Sequence, residues 1–395
     1  MLRRIPLLVT ALALAATAAC TNSTTSASDP LPGSSDAPSP AAAPALTALG
    51  EGGGKVTWKR PLTLSVSNGT LTDVAVTGPD GTPFDGALSG STWTSAETLV
   101  PNQKYTATVK AKDSANKTQT LSRAWRATPP DKTLHVTISP GPGAVVGVAQ
   151  PIIVRFDQKV SGRAARLAVL AKLDVTTTPA VEGAWRWYNS FEAHYHAEKY
   201  WTSGTKIAVS ADLSNVHLPG TGVWGDTKTV TSSITIGKDY ESTVDIAKHT
   251  MTVFENGKLI RTIKVSTGRD KYPTKGGVHI VLTREKSHTY NSGTVGIPTN
   301  GPGGYYEKLP WSMRISNGGA FVHANPATVG VQGRRNVSHG CVNTSVTDAK
   351  WFYYHSQLGD PVNIINAVVK PVKWDAGMAD WNYTWAEWKA GNLDG

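Results

Sequence analysis

Residues 62–76 read LTLSVSNGTLTDVAV. Leu64 and Val66 alternate with small polar residues up to Asn68-Gly69, after which Leu71, Val74 and Val76 carry the apolar side onward. A period of two sends successive side chains to opposite faces of a strand, and Asn-Gly favours a tight turn. The stretch is therefore two half-buried strands with a turn between them. Outward from it the pattern repeats. Residues 104–113, KYTATVKAKD, alternate Tyr105, Ala107, Val109 and Ala111, and Pro79-Asp80-Gly81 marks another turn. Short alternating runs punctuated by turns imply a mainly β chain built from sandwiches.

A second unit opens near Asp131. It holds HVTISP, then VGVAQPIIVRFDQKV, then AWRWYNSFEAHYHAEKYWTSGTKIAVSADL. Residues 55–130 and 131–238 each have the size of an immunoglobulin-like sandwich, and neither carries an internal cysteine pair. His194 and His196 fall two apart, on one face of a strand. No carboxylate or cysteine cluster follows at ligand spacing, so they are expected to be exposed strand residues and not a metal site.

The third unit spans 239–367. STVDIAKHTMTVFENGKLIRTIKVSTG reads as a hairpin turning at Asn256-Gly257, and PTKGGVHIVL as a further strand. A Gly/Pro-rich loop, NSGTVGIPTNGPGGYYEKLPWSMRISNGG, precedes the strand in GAFVHANP. VTDAKWFYYHSQ is expected to be helical and PVNIIN a strand. The tail, 368–395, holds Trp374, Trp381, Trp385 and Trp388, and a segment this aromatic is expected to pack onto a domain interface.

The chain has 395 residues, enough for two to four domains, and its 17% of charged residues is low for a cytosolic protein. Residues 1–20, MLRRIPLLVTALALAATAAC, have a basic start, an apolar run and small residues at the end, which is the form of a secretory signal. TAAC resembles a lipoprotein cleavage box, so Cys20 is expected to carry lipid and to anchor the protein on the outer face of the cytoplasmic membrane. Residues 21–54 are rich in Ser, Thr, Ala, Pro and Gly and read as a disordered tether. It reaches about 30 Å root-mean-square and about 110 Å stretched. The net charge of +10 suits anionic wall polymers, and no nucleic-acid-binding motif is present.

Cys341 is the one cysteine besides Cys20. An exported protein whose other cysteine is lipidated leaves this thiol without a partner, which calls for a chemical reason. It lies in NVSHGCVN, residues 336–343. A nucleophilic cysteine needs a base and donors for the oxyanion it creates. His339 and His323 are at hand, Gly340 permits a tight backbone turn, and consecutive N–H groups of Gly340 and Cys341 are candidate oxyanion donors. The alternative is a small buried cysteine beside structural histidines.

His323, the stretch ANPATVGVQGRRNV, and then Ser338-His339-Gly340-Cys341-Val342-Asn343 resemble the motif of the L,D-transpeptidases with a YkuD-type catalytic domain. The likeness extends to the actinobacterial members, with their lipoprotein signal, tether, two immunoglobulin-like domains, catalytic domain and Trp-rich tail. YWTSGTKIAV and WAEWKAGN also resemble those members. The resemblance implies Cys341 as nucleophile and His323 as base, oriented by the Ala324 carbonyl, with His339, Gly340 and Cys341 shaping the oxyanion hole. It implies Tyr305 as a lid, Gly318 and Gly319 at the donor site, and Ser338 and Asn343 beside the substrate. Val295 stands where relatives have a second lid aromatic, Gly318 replaces a serine, and GTGVWGDTK matches the acidic calcium cluster of some relatives poorly, so no metal is expected. It further implies no cofactor, peptidoglycan stem peptides as donor and acceptor, 3→3 cross-links, and inhibition by β-lactams of the carbapenem type. Water as acceptor, giving a carboxypeptidase, and a non-catalytic wall-binding lipoprotein are the other readings.

Overall fold

A computed structural model describes residues 42–370 and 379–394. The first sandwich has one sheet in the order Ala45–Ala48, Pro61–Ser67, Thr92–Thr98, Gly86–Ser89, and another in the order Lys55–Val56, Thr118–Ala127, Lys104–Lys112, Thr70–Thr77. Leu64, Trp93, Tyr105, Val109 and Trp125 fill the space between them. The Asn68-Gly69 turn does not close a hairpin, because the strands it joins lie in opposite sheets. Gly69 is required there, since a Cβ would come within 2.6 Å of the Lys112 carbonyl oxygen.

The tether, expected to run to residue 54, ends earlier. Ala45–Ala48 pairs antiparallel with Pro61–Ser67 and buries Leu46 and Ala48. Two inward residues among Ala, Pro and Thr are too short an alternation to stand out from linker composition.

The second sandwich joins the sheet Val136–Ser139, Ile152–Phe156, Glu192–Ala197, Gly183–Asn189 to the sheet Val145–Val146, Val230–Ile236, Lys206–Ala211, Leu173–Thr178. Along Glu192–Ala197, Ala193, Tyr195 and Ala197 enter the core, while His194 and His196 face away from it. These histidines are not exposed as expected, but 1% and 3% accessible. The C-terminal segment covers them. His194 Nδ1 meets Asp380 at 2.8 Å and Nε2 meets Glu192 at 2.6 Å. Burial opposes the charge, but Asp380 and Glu192 outweigh it and hold the imidazolium up to about 9. His196 lies between Trp381 and Trp388, with ring centroids 4.1 and 3.9 Å away.

The aromatic tail does pack onto a domain interface. Trp381 Nε1 donates to Ala149 O and Trp388 Nε1 to Ala184 O, both in the second sandwich. Asn382 pairs through its amide with both backbone groups of Val278, on the edge strand of the third unit. Trp374 lies outside the described residues. A second junction is pure backbone: Gly147 N–H donates to Leu358 O and Ala149 N–H to Gly359 O.

The third unit packs a five-stranded sheet (Lys258–Lys264, Thr250–Glu255, Tyr240–Asp245, Pro361–Ile365, Gly277–Ile280) against a four-stranded one (Thr283–Asn291, Tyr306–Arg314, Phe321–Ala324, Val342–Thr344). Asn256 and Gly257, both at positive φ, close the expected hairpin. The helix Val346–His355 is capped by Ser345, whose hydroxyl accepts the Asp348 N–H. Its Phe352 joins Val244, Met251, Ile263, Met313, Val322 and Val342 in one core. Each such fully buried large side chain contributes about 1.5–3 kcal/mol.

Candidate active site

The strands Phe321–Ala324 and Val342–Thr344 run parallel, with His323 opposite Asn343. Alternation sends Val322 and Val342 into the core. It therefore sends His323, Asn343 and the residue two before it, Cys341, to the other face. There all three line one cleft of about 300 Å³. The sequence motif is thus a register device: base and nucleophile come from neighbouring strands and share a face.

The strand Tyr306–Arg314 supplies the opposite wall by an irregular route. Met313 is a core residue, so strict alternation would turn residues 309 and 307 toward the core as well. Trp311 prevents this. Its φ is +54°, an outlier for a bulky residue, and ladder pairing lapses between Trp311 and Lys286. Beyond this point the ribbon has turned over. Tyr290 lies against His323 with ring centroids 4.6 Å apart and the rings tilted by 35°, its hydroxyl donates to Ser312 Oγ, and Tyr305, Glu307 and Leu309 line the cleft.

His323 is buried. Its Nδ1–H donates to the Ala324 carbonyl at 2.9 Å, which leaves Nε2 as the bare nitrogen. Burial pushes the imidazole down to about 4, with the Ala324 bond opposing. Burial also pushes the Cys341 thiol up to about 11, against the pull of the Phe321 N–H and Arg314. The thiol donates to Gly319 O at 3.7 Å. Both shifts favour a thiol and a neutral imidazole in the resting site over a thiolate–imidazolium pair.

The loop before Cys341 is held from both sides. Ser266 exchanges two backbone hydrogen bonds with Asn343. Thr274 Oγ1 donates to Gly340 O at 2.9 Å and accepts the Gly268 N–H. Gly340 has φ +121°, a conformation side-chain-bearing residues rarely adopt. Its N–H was expected to face an oxyanion, but it donates to Ser338 Oγ at 3.1 Å, and Ser338 Oγ donates to Cys341 O at 2.7 Å. Local side-chain capping has taken that donor, and Ser338 shapes the loop.

The His339 ring turns to the lid side. Arg269 Nη2 donates to its Nε2 at 2.6 Å, and Tyr272 and Tyr305 lie 4.7 and 5.0 Å from it. Burial, then Arg269, holds the imidazole below its ordinary value. Tyr305 exchanges backbone bonds with Ser292, N–H to Oγ and O from N–H, so the loop 292–305 closes on itself over the cleft. Gly319 contributes the carbonyl that holds the thiol, and Val295 reaches to within van der Waals contact of its position. Gly318 is exposed at the tip of that turn, off the cleft wall. Cys20 lies outside the described residues. Among the described residues no group of three His, Cys, Asp or Glu side chains is placed to hold a metal ion.

Sequence reading missed Arg269, Thr274, Tyr290 and Glu307. Only alternation along TYN and YEKL hinted at the last two, and the reversal at Trp311 hid which face they share.

Comparison with known proteins places two family models on the chain: a bacterial Ig domain over residues 54–217 and the L,D-transpeptidase catalytic domain, YkuD, over 239–364. L,D-transpeptidase 2 of Mycobacterium tuberculosis (strain CDC 1551 / Oshkosh) is 36% identical over 352 residues, covering 88% of this chain and 85% of that protein. L,D-transpeptidase 5 of the H37Rv strain is 30% identical over 337 residues, covering 83% and 72%. Among solved structures, an LD transpeptidase, LdtMt1, in complex with imipenem is 30% identical, with a TM-score of 0.51 over 60% of this chain and 100% of that one.

Proposed function

Because the chain belongs to the L,D-transpeptidase family and is an enzyme of that class, we propose that it forms 3→3 cross-links in peptidoglycan through a Cys341 thioester. The carbonyl attacked joins the third residue of a tetrapeptide stem, a diamino acid, to the terminal D-Ala. As sulfur bonds to that carbon, the thiol proton passes to His323 Nε2. The tetrahedral intermediate collapses, the C–N bond breaks, and the proton returns to the leaving D-Ala amine. The side-chain amine of a second stem then attacks the thioester and frees the thiol. The observation that carries this reading is the shared face of His323 and Cys341 in one cleft, with Nδ1 tied to Ala324 so that Nε2 is the free base.

The direct test incubates the soluble form with a disaccharide tetrapeptide and looks by mass for the cross-linked dimer with loss of D-Ala. The disaccharide pentapeptide is expected to give none, because an added residue would occupy the place of the terminal carboxylate beneath the Tyr305 lid. Equal cross-linking from both stems would reject this donor site. Tripeptide in place of dimer would point to water as acceptor. By likeness to the imipenem-bound relative, a carbapenem should also acylate Cys341.

We also propose that the protein is exported and held by lipid at Cys20 on the outer face of the cytoplasmic membrane, with the tether carrying the folded part into the wall. A Cys20→Ser variant should move from the membrane to the soluble fraction while the folded part stays active. Continued membrane association of that variant would reject lipidation.

A further inference from the structure

The reversal at Trp311 has placed a carboxylate in the cleft. Glu307 is the direct cross-strand partner of Tyr290, the residue whose ring packs against His323. Direct partners share a face, so Glu307 stands on the His323 side between Tyr305 and Leu309, and all three line the cleft. Tyr306, the intervening residue, points outward and is 71% exposed. Glu307 is the one acid among the residues that line the cleft. Among the described residues it has no ion-pair or hydrogen-bond partner. Its charge acts on the same phenol as the nucleophile: burial, then Cys341, then Glu307 push Tyr305 upward. A carboxylate left unpaired on the wall of a reaction cleft, in a chain of net charge +10, is a binding element for a cation.

We propose that Glu307 is an acceptor-recognition residue, whose carboxylate binds the side-chain ammonium of the incoming diamino acid and favours amine over water in resolving the acyl-enzyme. This rests on the transpeptidase reading above. A primary amine of this kind is almost wholly protonated at neutral pH, so it arrives as a cation that Glu307 can hold. The bound ammonium first gives one proton to solvent, and the neutral amine attacks. The C–N bond forms, the C–S bond breaks, and the proton shed by the amine passes through His323 to the departing sulfur. Glu307 is exposed to solvent at the cleft wall, so it supplies local concentration and alignment worth about 2- to 5-fold for one charge-assisted contact.

The experiment acylates the enzyme with tetrapeptide donor and measures the ratio of dimer to tripeptide at sub-saturating acceptor stem. Using the ratio cancels any change in acylation rate. Glu307→Gln should lower it about 2- to 5-fold, mainly through a raised acceptor KM, and Glu307→Asp should restore part of it. Hydroxylamine is a neutral nucleophile at pH 7, and it should partition against water equally well in wild type and Glu307→Gln. An unchanged dimer-to-tripeptide ratio in Glu307→Gln, beside normal dimer from wild type, overturns the assignment alone. An equal loss with hydroxylamine also overturns it, since the residue would then be structural. Absence of dimer from wild type, with Cys341 still acylated, overturns the amine-acceptor reading and this assignment with it.

Discussion

Replacing Cys341 by alanine should remove cross-linking altogether, with a loss of at least about 10⁴-fold, because it removes the one thiol among the residues that line the cleft. The thiol is half-buried and makes only weak contacts, to Gly319 O and the Phe321 N–H, so the fold should lose only about 1 kcal/mol. The prediction therefore separates chemistry from stability. Intact-mass measurement after incubation with a carbapenem should show one adduct on wild type and none on Cys341→Ala, while the two proteins share a circular-dichroism spectrum. Cys341→Ser should be nearly as inactive. Its hydroxyl is a far weaker acid than a thiol, and His323, held down to about 4, is too weak a base to ionise it. An adduct that survives in Cys341→Ala, or dimer above a trace, would place the nucleophile elsewhere.

What the sequence disclosed follows from how local each signal is. Period-two runs such as residues 104–113 depend only on which side of a strand is buried, and they gave sandwiches without any alignment. The Asn256-Gly257 hairpin is equally local. The His323 and Cys341 pair was legible through the resemblance of its motif to the L,D-transpeptidases, while the parallel register that sets the two side chains on one face shows only in the fold. Non-local partners were not legible. His194 and His196 read as exposed because the segment that covers them, with Asp380, Trp381 and Trp388, lies far along the chain. The Gly340 N–H was assigned to an oxyanion on its position in the motif, whereas its partner depends on the rotamer of Ser338. The wall bearing Tyr290 and Glu307 was hidden by one backbone outlier at Trp311, which no propensity for tryptophan foretells. These misses share a cause: each side chain's environment is set by tertiary closure and not by its own neighbours in sequence.

Loss of the His323 imidazole should slow acylation by 10² to about 10⁴-fold, the usual worth of a positioned general base. His339→Ala should cost less, since that ring faces Arg269, Tyr272 and Tyr305 and acts by positioning the loop. The pH profile distinguishes base catalysis from mere packing. His323 is held down to about 4, so its neutral form is present above that pH and is lost as pH falls through it. Cys341 is held up to about 11, so the thiol stays protonated until then. Between these limits wild type has both the base and the proton it must remove, and carbapenem acylation should be nearly flat from about pH 5 to 10, falling below about 4. In His323→Ala the reaction must wait for free thiolate, whose fraction rises about tenfold per pH unit below the thiol pKa. The variant should therefore show a rate that climbs with pH across the range where wild type is flat, with the gap between them narrowing toward pH 11. Stopped-flow acylation of both proteins measures this directly. A variant profile parallel to that of wild type would mean that His323 only supports the site and that the thiol proton leaves by another route.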